Sequence, residues 1–100
     1  MVRSLVVEQD HVDDVVDHLA EFEGLEHLRA RRRGDLLTLE SGAKDDPVPH
    51  TRFRRVGVHK WQLEMPTHTG RWQTTPIRAQ LIELVDAVIT QFGWMLAPIK

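Results

Sequence analysis

His50, His59 and His68 recur at intervals of nine in a 100-residue chain that holds six histidines and no cysteine. Imidazole is a common metal ligand, so three such rings on or beside neighbouring strands would make a small metal-dependent hydrolase. Metal sites legible in sequence use tighter spacing, such as two His at i and i+4 on one helical face. Strand alternation sends His50 outward with Arg52 and His59 inward with Trp61, unless Gly57 interrupts it, and His11 and His18 stand two helical turns apart. No metal site and no cofactor are expected. Glu40 and Lys44 are four residues apart, where a restriction-type nuclease needs its carboxylate and lysine two apart on one strand. Ser41 has no G-x-S-x-G elbow and no evident His base beside it. Neither G-x-x-x-x-G-K-[ST] nor G-x-G-x-x-G occurs to cradle phosphate. The residues favour binding over catalysis.

Arginine points to what is bound. Ten of the thirteen basic residues are Arg, and they gather in the middle of the chain. Residues 1–25 hold Arg3 against seven acids, a net of −6, and residues 26–72 hold ten basic and six acidic residues, a net of +4. Arginine's planar five-donor fork suits phosphate and carboxylate, so a cluster with few acids beside it makes an anion-binding surface. If helices cover the sheet face carrying Leu28, Ala30, Leu37, Leu39, Phe53, Trp61, Leu63 and Trp72, parity fixes the other face. It takes Arg29, Arg31, Arg33, Arg52, Arg54, Lys60 and Arg71, with Glu40 and Glu64 as its acids. The first helix presents Asp13, Asp14, Asp17 and Glu21 as an acidic stripe. Opposite charges on separate faces steer docking, so a protein partner or a second copy of the chain is the first expected partner. Nucleic acid is the alternative. Single-strand binders usually add exposed aromatics for base stacking, and this parity turns Phe53, Trp61 and Trp72 inward in a chain without tyrosine.

These faces depend on the elements that carry them. Asp10 is placed to cap a first helix whose stripe is Val12, Val15, Val16, Leu19 and Phe22, and Gly24 is placed to end it. Period two then takes over. Gly34-Asp35 forms a two-residue hairpin turn that sets Ala30 opposite Leu39 and Arg29 opposite Glu40. Ser41 to Pro49 reads as a loop by its Gly, Asp and Pro content. From His50 to Met65 the chain is β again, with Gly57 either a bulge in one bent strand or a turn between two. A loop over 66–69 would set Met65 opposite Gly70 and Leu63 opposite Trp72. Thr67, His68, Thr69 and Arg71 lie at that hairpin end, where a structural turn anchored by tryptophans is favoured over a polar pocket. Thr75 and Pro76 suit the start of a last helix whose apolar arc runs Ile77, Leu81, Ile82, Leu84, Val85, Val88, Ile89 and Phe92. Gly93 would end it, with Trp94 packing back. The predicted fold is α+β: an antiparallel β-meander of four to five strands with an N-terminal and a C-terminal helix packed on one face.

Composition agrees with one globular domain over residues 1–100. Apolar residues are 41%, charged residues 28%, and the net charge is −2. No apolar run approaches the ~20 residues of a membrane-spanning helix. The opening MVRSLVV turns acidic at Glu8, so no signal peptide is expected, and the absence of cysteine excludes disulfide scaffolds. A cytoplasmic protein-binding or self-associating module is the expectation, ahead of a nucleic-acid-binding accessory domain and a metal-dependent hydrolase.

Overall fold

Alternating apolar residues in five consecutive segments build one antiparallel sheet, and two amphipathic helices cover its apolar side. The structure, a computed structural model, describes residues 5–67, 69–91 and 93–96. Helix α1 (Gln9–Leu19) is followed by β1 (Arg29–Arg33), β2 (Leu36–Ala43), β3 (Asp46–Arg55), β4 (Trp61–Pro66) and β5 (Trp72–Ala79). Helix α2 (Leu81–Gln91) and a 3₁₀ turn (Gly93–Leu96) complete it. The strands pair in chain order, each antiparallel to the next. This is the predicted α+β meander, with five strands.

The inner face carries Leu37, Leu39, Phe53, Trp61 and Leu63, all buried. Val12, Val15 and Leu19 of α1 and Leu81, Leu84, Val85 and Val88 of α2 close over them in one core cluster, joined by Val7 and Leu96. The Gly34-Asp35 hairpin has the expected register, with Ala30 opposite Leu39 and Arg29 opposite Glu40. Gly34 takes φ +58°, which costs glycine little and other residues more.

Several boundaries differ from expectation, each because tertiary bonding overrides a local signal. Glu8, not Asp10, caps α1: its N–H donates to His11 Nδ1 at 2.9 Å, while the Val7 N–H just before it is held by the Gly34 carbonyl at 2.8 Å. The helix stops at Leu19 and the chain tightens into i→i+3 turns, so Phe22 is only half-buried and Val16 stays 46% exposed. The presumed loop Ser41–Pro49 is instead a hairpin in which β2 and β3 extend past β4, turning at Lys44-Asp45. Pro47 and Pro49 are tolerated because β3 pairs with β4 only from Arg52 onward, leaving an open edge where a missing N–H breaks no ladder bond. Gly57 belongs to a turn: Val56 N–H and Gly57 N–H both donate to the Lys60 carbonyl.

Strand β5 departs from the expected arrangement in two ways. The turn after β4 spans 67–71, so Pro66 faces Trp72, Met65 faces Gln73 and Glu64 faces Thr74. Trp72 therefore does not meet Leu63 and leaves the core face. Thr75, Pro76 and Ile77 are strand rather than helix, and α2 begins five residues later than its local signals suggest. Pairing with β4 outweighs the Thr-Pro start signal, and Pro76 sits on an edge strand where the register shifts. Gln80 takes over at the helix start, its N–H donating to Glu83 Oε1 and its carbonyl accepting from Leu84. Phe92 and the side chain of Trp94 lie outside the described residues, as does His68.

Candidate binding face

Residues opposite one another on antiparallel strands share a face, so the outer side of the sheet is laid out in rows. One row runs Arg31, Thr38, Arg52, Glu64 and Thr74 from β1 to β5. Beside it run Arg33, Leu36, Arg54, Gln62 and Arg78. On its other side lie Arg29, Glu40 and Pro49, and across the sheet Pro66 with Trp72. The face thus holds Arg29, Arg31, Arg33, Arg52 and Arg54 as predicted, and gains Arg78. Lys60 and Arg71 are exposed but sit in the turns before β4 and β5, where strand parity does not apply.

Two carboxylates lie inside this arginine field, with Glu40 5% and Glu64 2% exposed. Burying an unpaired carboxylate is costly, so each is held in place by guanidinium groups. Glu64 accepts from Arg52 Nε at 2.5 Å and from Arg54 Nε at 2.9 Å, with the Thr74 hydroxyl 3.3 Å away. Burial alone would push its carboxyl up; the bonds from Arg54 and Arg52 outweigh burial and hold it below the usual carboxylate range. The Glu64 bond raises Arg54 in turn, and Arg54 Nη1 also donates to Asp35 at 3.0 Å. Glu40 pairs with Arg31 at 3.3 Å and Arg29 at 3.9 Å, while Arg29 Nη1 donates to the Gly42 carbonyl.

This pairing sets both charge and geometry. Six arginines in the rows against Glu40, Glu64 and Asp35 leave +3, far less than a field of free cations. The glutamates engage Arg31 and Arg52 through Nε, and among the described residues the Nη groups of these two have no hydrogen-bond partner. Arg33 is exposed and makes no side-chain bond within the same set. The result is a set of oriented donors.

Trp72 completes the face. It is half-buried, and the Arg52 guanidinium carbon lies 4.3 Å from its ring centroid, a cation–π contact. A groove of about 280 Å³ opens between this stack and Arg31 and Arg33, with Leu36, Thr38 and Pro49 along it. This placement follows from strand pairing: a five-residue turn at 67–71 in place of the four-residue loop 66–69 sends Trp72 outward.

Among the described residues His27 and His50 meet edge-on with ring centroids 5.9 Å apart, and the other histidines have different neighbours. His11 packs edge-on against Trp61, His18 joins Asp86 of α2 at 2.5 Å, and His27 Nε2 donates to the Leu96 carbonyl. His59 is exposed in the Gly57 turn. Among the described residues no three His, Cys, Asp or Glu side chains group to hold a metal ion. Contrary to expectation, Ser41 does have a histidine beside it. The β-bulge at Glu40 and Pro49 inserts His50, whose Nε2 lies 2.7 Å from Ser41 Oγ. Ser41 is 7% and His50 3% exposed, so the pair fastens the bulge and offers no hydroxyl to a dissolved substrate. Thr67 Oγ1 and Thr69 Oγ1 bond each other at 2.8 Å and close the turn at 67–71.

On the opposite side of the molecule α1 buries Val12 and Val15 and leaves Asp13, Asp14 and Asp17 exposed, with Glu21 exposed in the turn just beyond it. Among the described residues no helix is long and apolar enough to cross a membrane. No family model, no curated protein and no solved structure matches this chain.

Proposed function

We propose that the protein is a binding module whose outer sheet face takes a single-stranded nucleic acid. The observation that carries this reading is Trp72 standing on the arginine face under Arg52, because base–aromatic stacking is what a merely basic sheet lacks. Stacking supplies about 1–3 kcal/mol per base without sequence readout, and oriented guanidinium groups meet the phosphates. An intracellular, cytoplasmic location goes with such a ligand and with a chain free of cysteine.

The net charge of the face makes the proposal quantitative. With about two to three phosphates neutralised at roughly 0.7 each, log K should fall with log salt at a slope of about −1.5 to −2. Fluorescence anisotropy of a labelled oligothymidylate decamer, titrated at several salt concentrations, measures this. Saturable binding with that shallow slope is expected. Absence of binding at the lowest salt overturns the reading.

A second reading rests on the uncompensated acids of α1. Docked against the arginine face of another copy, Asp13, Asp14, Asp17 and Glu21 would drive head-to-tail self-association, or the same face would receive an acidic protein partner. Sedimentation velocity separates the cases: concentration-dependent oligomers that vanish on charge reversal in α1 favour the protein interface over nucleic acid.

A further inference from the structure

We infer that the groove between the Arg52–Trp72 stack and the Arg31–Arg33 pair is a subsite for one nucleotide, base against the stack and phosphate at the pair; this rests on the nucleic-acid reading of the face. Its size comes first. About 280 Å³ lies just below the roughly 300–1,000 Å³ of small-molecule sites, which suits a single nucleotide unit and not a folded partner. Its walls differ in chemistry along one direction. Arg52 on β3 is already stacked on Trp72, and bases stack on guanidinium planes as they do on aromatic rings, so a base laid there extends an existing stack. Leu36 and Pro49 give the base apolar contact.

At the other end stand Arg31 and Arg33 on the edge strand β1. Strands lie about 4.8 Å apart, so two strand spacings, near 10 Å, separate the backbones of β1 and β3. That is the span of a nucleotide from its base to its phosphate. The two cations differ in how they are held. Arg31 is tied by Nε to Glu40 at 3.3 Å, whereas Arg33 is exposed and without a described side-chain partner. Arg33 is therefore the cation that can turn onto a phosphate, and Thr38 between them offers a hydroxyl to the sugar.

The experiment titrates the labelled protein with thymidine 5′-monophosphate, thymidine and inorganic phosphate, following the Trp72 indole N–H by NMR and identifying that signal by its loss in Trp72→Phe. The monophosphate is expected to move the Trp72 indole saturably at roughly millimolar concentration. Thymidine should bind about tenfold more weakly, the usual worth of one charge-assisted contact, and phosphate alone should leave the indole unmoved. Arg33→Gln should bring the monophosphate down to the level of thymidine; since Arg33 is exposed, this variant keeps its fold. An oligothymidylate decamer measured in parallel separates the two claims. If the decamer binds while the monophosphate leaves Trp72 unmoved, the nucleotide subsite falls and the face reading stands. If neither binds, both fall. Equal affinity for thymidine and its monophosphate also overturns the subsite.

Discussion

On the outer sheet face Arg29, Arg31, Arg52 and Arg54 each lie within ion-pair distance of Glu40, Glu64 or Asp35, and Arg33 stands apart. On α1 and in the turn that follows it the acids have no such company. Asp10, Asp13, Asp14, Asp17 and Glu21 form no ion pair with Lys or Arg among the described residues; Asp13 accepts a bond from Gln9, and Glu21 lies near His18. Both surfaces look equally charged in sequence. The sheet, however, brings strands of different sign into register and buries its acids beneath its arginines, whereas a helix exposing one face to water has only its own residues for neighbours. The arginine face consequently contributes to stability and holds its donors in set directions. The acidic stripe of α1 is a source of repulsion, relieved by solvent and salt.

Removing the acid at the centre of the sheet face should have the largest effect. In Glu64→Gln the Arg52 and Arg54 guanidinium groups lose their charge partner inside the sheet. Both arginines keep some water contact, so the loss should fall below the roughly 3–5 kcal/mol of a fully buried pair, at about 1.5–3 kcal/mol. Chemical denaturation measures it. A loss under about 0.5 kcal/mol, the range of surface changes, would make the sheet face no different from the helix face.

Acid sharpens the same contrast. Because the Glu64 carboxyl is held below its ordinary range, its contribution is complete above the unfolded value near pH 4.3 and disappears as pH falls through the lower folded value. The stability gap between the wild-type protein and Glu64→Gln should therefore be constant at neutral pH and close in acid. A gap that instead widened as pH fell towards about 4, and levelled off below it, would mean that burial, not the arginines, governs this carboxyl.

How much of this was legible depends on the range of the interactions. Parity placed Arg31, Arg52 and Glu64 on one side because alternation is local, and the Gly34-Asp35 turn fixed its own register. Trp72 was misplaced because a turn of five residues rather than four is decided by pairing across β4, information that the sequence of the turn does not contain. Thr75-Pro76 carries a true helix-start signal that strand pairing overrides, and the bulge that brings His50 to Ser41 lies within a segment whose glycine and prolines read as loop. The apolar arc of α2 was readable because Leu81, Leu84, Val85 and Val88 repeat with the period of their own helix. Parity also counts charges without showing that Glu64 sits between Arg52 and Arg54, so Arg54 belongs to the ion-pair cluster, whereas Arg33 can be altered without disturbing it.

The smallest effect belongs to the helix, and its sign is the informative part. Asp17 faces Asp13 at i−4, a like-charge neighbour that costs about 0.2–0.5 kcal/mol in a helix, while Glu21 lies in the turn beyond the helix end. Asp17→Lys turns that repulsion into an attraction. The Asp13–Lys pair has the better orientation, acid toward the N-terminus, and a cation in the later part of α1 also suits the helix dipole. Asp17 is exposed and makes no described bond, so nothing is lost in exchange. Stability should rise by about 0.5 kcal/mol, seen as a Tm increase of roughly 2–4 °C, and the gain should shrink as salt screens it. Charge reversal at Arg54, by contrast, would set a carboxylate against Glu64 and lower the Tm. A fall in stability for Asp17→Lys would mean that the acids of α1 are already compensated, by a bound partner or by a second copy of the chain. A dilution series would decide between those two, since the loss would fade with concentration only if the partner were another copy.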